Sequence, residues 1–478
     1  MDDELRVLPQ GPDPAAPSRA EDLPLRAAAL AVLVVGEEAG QEDATDELVR
    51  AGLGGVVFFG SALADPAAAA RRAANLQSAA LAGPTGAPLL LGADQEGGRV
   101  RRLPDGPTSL PGAMALGAAG RPDLARQAGR ATAGQLRAIG LQWNLAPVCD
   151  LWHPDGVLGS RCFGADPEAA GALAAAFAAG LQDGSVLACA KHFPGHAATA
   201  QDRARTLPVL SSLAPEALRP FAAAAAAGVG TLMLGHLMVP SLDPALPASL
   251  SAAFHRLARE CLGPQGLLVT DSLSMAGALA AAGGDVGEAA VLALLAGTDL
   301  VLIGHGPPAH RAAWAAIVAA VAAGRLPEGR LAAAVTAVLR RKRDLVRLSS
   351  PDPEAAAHLL ARPSDARLAA EIAAAAVTPL RDGPPVPRPA QISHGPATPP
   401  ALVRAAAARW PSAALDPRGH GPWLTLDGRC HLLIGLPLPA GLPAGRVLLG
   451  YDAVPASLAA LLAAAAGEAA APGRLPAR

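Results

Sequence analysis

Residues 185–192 read SVLACAKH. An unbroken apolar run of this length, closed by a lysine and a histidine, reads as a strand covered on both faces, as in a parallel sheet. Seven more runs have the same character: AVLVV (31–35), GGVVFF (54–59), APLLLGAD (87–94), LQWNLAPVCD (141–150), GTLMLGH (230–236), GLLVTD (266–271) and TDLVLIGH (298–305). Between them lie long alanine-rich stretches such as PDLARQAGRATAGQLRAIG (122–140) and PEALRPFAAAAAAG (215–228), ample for crossover helices. Eight strand–helix units over this length match a closed (β/α)8 barrel.

The polar residues support the same architecture. Asp94, Asp150, Lys191, His192, His236, Asp271 and His305 each fall at the C-terminal end of one of these runs. In a closed barrel those ends share one face, which carries the active site. The competing reading is that polar residues are common wherever a strand passes into a loop. It explains any one of them better than the whole set. The last barrel helices are expected at 312–324 and 331–346, so the barrel spans 25–345 after an N-terminal extension, 1–24. Proline-rich text over 346–399 reads as a linker. Residues 400–478 carry further α/β signals in HLLIGLPL, RVLLGYD and PASLAALLAAAAG. That region reads as a shortened α/β domain, too small for a large core of its own and expected to pack on the barrel.

The 478 residues are 51% hydrophobic and 17% charged, with a net charge of -2. The apolar content excludes a disordered chain. Balanced charge gives no field for nucleic acid or an acidic membrane. No apolar run makes a convincing span of about 20 residues, and the acidic start lacks a signal peptide's pattern. The five cysteines (149, 162, 189, 261 and 430) are scattered, without a CxxC pair, which fits a reducing compartment. The expectation is a soluble cytoplasmic monomer without partners in nucleic acid or membrane. Only two of the 39 basic residues are lysines, Lys191 and Lys342, so a lysine inside a motif invites a reason.

Three motifs carry chemistry. DQEGGRVRRL (94–103) sets a carboxylate beside paired glycines that allow a tight loop against a ligand. KHFPGH (191–196) places a cation, an imidazole and a proline-fixed turn on the next part of the same rim. LLVTDSLSM (267–275) ends a buried strand in a carboxylate, a candidate nucleophile whose charge would oppose a developing oxocarbenium ion. The glycines form neither a Walker nor a dinucleotide pattern. His192 and His196 are four apart, but Pro194 between them argues against a helical metal pair. No metal and no organic cofactor are expected.

These motifs, in this order and with NLAPVCDL (144–151), GSRCFGADP (159–167) and MLGHLMVPSLDP (233–244), resemble glycoside hydrolase family 3, in its bacterial β-N-acetylglucosaminidase branch. The resemblance covers about residues 25–345. It implies that Asp271 is the nucleophile of a retaining reaction through a covalent glycosyl-enzyme. It implies also that Asp94, Arg161, Lys191 and His192 bind the hydroxyls of a non-reducing-end N-acetylglucosamine, with Arg99 and His236 in or near that pocket. The competing reading for Arg161 or His236 is a buried ion pair bracing the rim.

One position departs from the family pattern. In this branch the proton donor and acceptor is a histidine in an Asp-Ser-His element after the KHFPGH motif. Here the loop runs KHFPGHAATAQDRARTLP, with Asp202 at the aspartate position, Arg203 at the serine and Ala204 at the histidine. Alanine has no proton to give, and an arginine does not cycle at neutral pH. Asp202 or His196 is a candidate substitute. Loss of a general acid–base costs about 10²–10⁴ in rate. The sequence therefore leaves open a β-N-acetylhexosaminidase with reduced activity, a catalyst confined to activated leaving groups or phosphorolysis, and a non-catalytic amino-sugar binder.

Overall fold

The computed structural model describes residues 23–104, 108–196, 207–345 and 351–475, apart from 383, 385, 387, 395, 418–422, 427–429, 435–442 and 445. All eight expected strands form: β1 (Leu33–Glu37), β2 (Gly55–Phe58), β3 (Leu90–Ala93), β4 (Trp143–Asn144), β5 (Leu187–Phe193), β6 (Thr231–Leu234), β7 (Leu267–Thr270) and β8 (Val301–Ile303). Every pairing between them is parallel, in the order β7-β6-β5-β4-β3-β2-β1-β8. A parallel bridge between Val269 and Leu300 joins β7 to the start of β8 and closes the ring. The chain thus forms a (β/α)8 barrel.

Alternation along the strands sorts the side chains into two layers. Val34, Val57, Leu90, Trp143, Leu187, Met233, Val269 and Leu302 fill the barrel interior, with Val338 of the last barrel helix joining them. Their neighbours Leu33, Val35, Val56, Leu91, Ala190, Leu232, Leu268 and Ile303 face outward under the helices. Trp143 is the largest interior group, and its indole N–H donates to Thr231 Oγ1 at 3.1 Å. Gly92 makes room for it, since a Cβ there would lie 2.8 Å from the Trp143 carbonyl oxygen. Aspartate–proline pairs open several helices. Asp65, Asp166 and Asp352 accept backbone N–H bonds from the first turn, and a proline follows each at the first helical position.

The stretch 346–399, read from its prolines as a linker, is structured over most of the residues described. Helices Pro353–Leu360 and Pro363–Ala376 bury Ala356, Ala369 and Ile372 in the main barrel core. The prolines misled because Pro353 and Pro363 occupy helix starts, where no N–H is needed. β9 (Thr378–Arg381) and β10 (Gln391–His394) then begin a second sheet, earlier than the expected boundary at 400. With β11 (Ala414–Asp416), β12 (Leu424–Leu426), β13 (Cys430–Ile434) and β14 (Arg446–Gly450) it runs in the order β11-β10-β12-β13-β14-β9. Its apolar centre holds Ile392, Leu402, Leu424, Leu432, Leu448 and Leu461. It packs on the barrel as expected: Ala376, Leu433, Leu449 and Tyr451 meet Met114, Ala115, Val148, Leu158 and Cys162. Among the described residues, no helix is long and apolar enough to cross a membrane.

Candidate active site

The C-terminal ends of the strands surround a cavity of about 240 Å³, lined by Phe59, Asp94, Glu96, Arg102, Arg161, Lys191, His192, Asp271, Ser272, Met275 and His305, among others. β3 and β5 supply its charged wall. The Lys191 ammonium lies 2.7 Å from Asp94 Oδ1 and 2.7 Å from Glu96 Oε1. Arg161 grips the Glu96 carboxylate with two parallel bonds, Nε to Oε2 at 2.8 Å and Nη2 to Oε1 at 2.7 Å. Arg102 Nη2 reaches Asp94 Oδ2 at 3.3 Å. Burial works to raise the Glu96 carboxyl, but Arg161 and Lys191 more than offset it and hold the group well below the usual carboxylate range. Burial works to lower Lys191, and Asp94 and Glu96 overturn that too, so its ammonium is held charged.

Asp150 shapes the next part of the rim. Its Oδ2 lies 2.8 Å from His192 Nδ1 and accepts the His192 backbone N–H at 2.9 Å. Its Oδ1 accepts the His196 backbone N–H at 2.7 Å. One buried carboxylate therefore sets the backbone of the KHFPGH turn and the ring orientation of His192. Asp150, His192 and His196 offer ligand atoms within 4.8 Å of one another, so they are the described residues that could hold a cation. Asp150 already spends both oxygens on N–H donors.

Asp271 follows β7 directly, and its Oδ1 accepts the Ser272 backbone N–H at 2.8 Å. Ser272 is pinned from two sides. His236 Nε2 lies 2.8 Å from its carbonyl oxygen, and its hydroxyl accepts the Gly304 N–H at 2.8 Å. The carboxylate that faces the cavity thus stands on a segment tied to both β6 and β8.

Asp94, Arg161, Lys191, His192 and Asp271 all line the one cavity. Three expected residues do not. Arg99 is on the exposed side of its turn, and the lining arginine is Arg102. The turn at Gly97 and Gly98, with φ of 86° and 57°, reverses the chain so that the later arginine comes back to Asp94. His236 is buried behind the wall with Ser249 Oγ 2.8 Å from Nδ1, so both ring nitrogens are engaged in bracing. His196 is also buried behind the wall, its ring edge-on to His192 at 5.6 Å and tight against Gly235. Asp202 and Ala204 lie outside the described residues. Sequence reasoning missed Glu96 and Arg102. Glu96 had a signal, because the second residue after Asp94 returns to the same side of an extended chain. Arg102 had none, since its place depends on the glycine turn.

The family model of the glycosyl hydrolase family 3 N-terminal domain matches residues 26–341. A β-hexosaminidase of Thiobacillus denitrificans is 39% identical over 267 residues, 53% of this chain and 72% of that protein. A second, from Chromobacterium violaceum, is 36% identical over 296 residues, 58% of this chain and 80% of that one. The solved structure of a family 3 β-N-acetylglucosaminidase from Paenibacillus sp. str. FPU-7 is 28% identical, with a TM-score of 0.81, covering 95% of this chain and 99% of that chain. The barrel, the strand-end carboxylate at 271, the charged wall opposite and the match over 26–341 lead to one assignment: this chain belongs to glycosyl hydrolase family 3.

Proposed function

We propose that this protein is a retaining β-N-acetylhexosaminidase that removes non-reducing-end β-N-acetylglucosamine from peptidoglycan fragments or chito-oligosaccharides. The observation that carries the reading is a single small cavity shared by Asp271 and the Asp94–Lys191–Glu96–Arg161 wall. Its volume is small for a ligand pocket, which suits one sugar unit rather than an extended chain. The names of the relatives support the same substrate class.

In this reading Asp94, Arg102, Lys191 and His192 hold the hydroxyls of the terminal sugar. Glu96 and Arg161 keep Lys191 charged and aimed. Asp271 attacks the anomeric carbon, the bond to the leaving oxygen breaks, and a glycosyl ester forms on its carboxylate. Water then attacks the same carbon and releases the sugar with its configuration retained. With alanine at 204, leaving groups that need a proton depend on a donor other than the histidine of the family pattern. Ala204 also favours the second reading, a non-catalytic amino-sugar binder.

The test compares an aryl N-acetyl-β-glucosaminide with N,N′-diacetylchitobiose, alongside calorimetric binding of N-acetylglucosamine. Release of aryl alcohol by the native chain, abolished in Asp271→Asn, supports the enzyme. Binding of the sugar with no cleavage of either substrate selects the binder.

A further inference from the structure

We propose that His305 is the acid–base group of this site, taking the part that Ala204 leaves vacant; the inference rests on the hydrolase reading above. His305 stands at the end of β8, the strand next to β7, and lines the same cavity as Asp271. The connection between them is short and rigid: Asp271 passes to Ser272, whose hydroxyl accepts the N–H of Gly304, and His305 follows.

The ring is oriented rather than loose. It stacks on Phe59 at 4.7 Å between centroids and 24° between planes. Glu38 Oε1 lies 3.9 Å from its Nδ1. The carboxylate sits on the Nδ1 side of the ring, which leaves Nε2 to exchange protons. The His305 side chain is 61% exposed, so water reaches it to restore the proton. The other histidines fit the task poorly. His192 is buried with Nδ1 held by Asp150, and His196 and His236 lie behind the cavity wall.

In the first step the Asp271 carboxylate bonds to the anomeric carbon, the glycosidic carbon–oxygen bond breaks, and the proton on His305 Nε2 passes to the leaving oxygen. In the second step Nε2 takes a proton from water as the water oxygen bonds to that carbon. The ester bond to Asp271 breaks, and both groups return to their starting states.

The experiment uses the full chain and its His305→Gln and Glu38→Gln variants on two substrates, 2,4-dinitrophenyl N-acetyl-β-glucosaminide and N,N′-diacetylchitobiose. The His305 variant is expected to lose about 10²–10⁴-fold in kcat/KM on the disaccharide and far less on the dinitrophenyl substrate, whose leaving group needs no proton. Azide is expected to restore its turnover of the dinitrophenyl substrate and to yield the β-glycosyl azide. Glu38→Gln is expected to lower kcat on the disaccharide only about two- to fivefold, with KM little changed, as for loss of an exposed charged partner. If the variant cleaves both substrates as fast as the native chain, or loses equally on both through KM, His305 is not the acid–base group while the hydrolase reading stands. If the native chain cleaves neither substrate, the hydrolase reading and this one fall together. Circular dichroism spectra matching the native chain's are expected, because His305 contributes little to the core.

Discussion

Replacing Glu96 by glutamine leaves the Arg161 and Lys191 cations facing a neutral amide at a site where all three side chains are 15% exposed or less. Unpairing buried charges of this kind costs about 3–5 kcal/mol. The Glu96→Gln chain should therefore unfold at much lower urea concentration than the native one. The pH dependence has a definite sign. The Glu96 carboxyl is held below its ordinary value of 4.5, so its contribution is complete above that pH and fades as acid approaches the lowered value. Lys191 is held above its ordinary 10.5, so its contribution is complete below that pH and fades only as alkali passes the raised value. The stability difference between native and Glu96→Gln chains should be flat from about pH 5 to pH 10 and shrink below pH 4. A denaturation series over that range checks it, and a difference that grows on acidification contradicts the pairing. At Asp271, the Asp271→Asn variant should lose at least roughly 10³-fold in kcat on an aryl glycoside while binding N-acetylglucosamine as before.

At the scale of single elements, the turn after β6 is tightly packed. A Cβ at Gly235 would lie 2.5 Å from His196 Nε2 and 3.1 Å from His192 Cβ. Gly235→Ala should cost about 1–3 kcal/mol through overpacking and should raise KM by displacing His192, both readable by thermal melts and steady-state kinetics. The barrel strands were legible in the sequence because each is a short apolar run, as burial on both faces requires, and six of the eight are closed by a polar residue. The Asp94, Lys191, His192 and Asp271 positions came with them, whereas Arg161, on a short helix away from the strand ends, came only through the family resemblance. Glu96 and Arg102 were harder, since one is a core ion-pair partner and the other arrives through two left-handed glycines. His196 and His236 were misplaced because a histidine at a strand end is polar whether it faces the cavity or braces the wall behind it. The helices at 353–376 were hidden by prolines that mark their starts.

Across the whole molecule, the second sheet reaches the loop after β3 through Asp452. Asp452, at the end of β14, is buried and accepts the Gly112 N–H at 2.8 Å, with its Oδ2 also close to Gly98. The loop between those glycines and β3 carries Asp94, Glu96 and Arg102. Asp452→Ala should raise KM for an aryl N-acetylglucosaminide roughly three- to tenfold with kcat little changed, the worth of about one hydrogen bond. Asp452→Asn keeps the accepting oxygen and should restore the native KM, whereas Asp452→Leu, which fills the space without an acceptor, should not. Removing everything after residue 345 would also uncover Met114, Ala115, Val148 and Leu158, so the isolated barrel should aggregate in light-scattering measurements.

The scarcity of lysine has a practical outcome. Both lysines of the chain are sealed in, Lys191 at 2% exposure among carboxylates and Lys342 at 1% within the last barrel helix. A succinimidyl ester applied to the native protein should leave both lysines unmodified. Acylation of Lys191 and of Lys342, followed by mass on the separate peptides, would then time the opening of the barrel at its mouth and at its final helix separately.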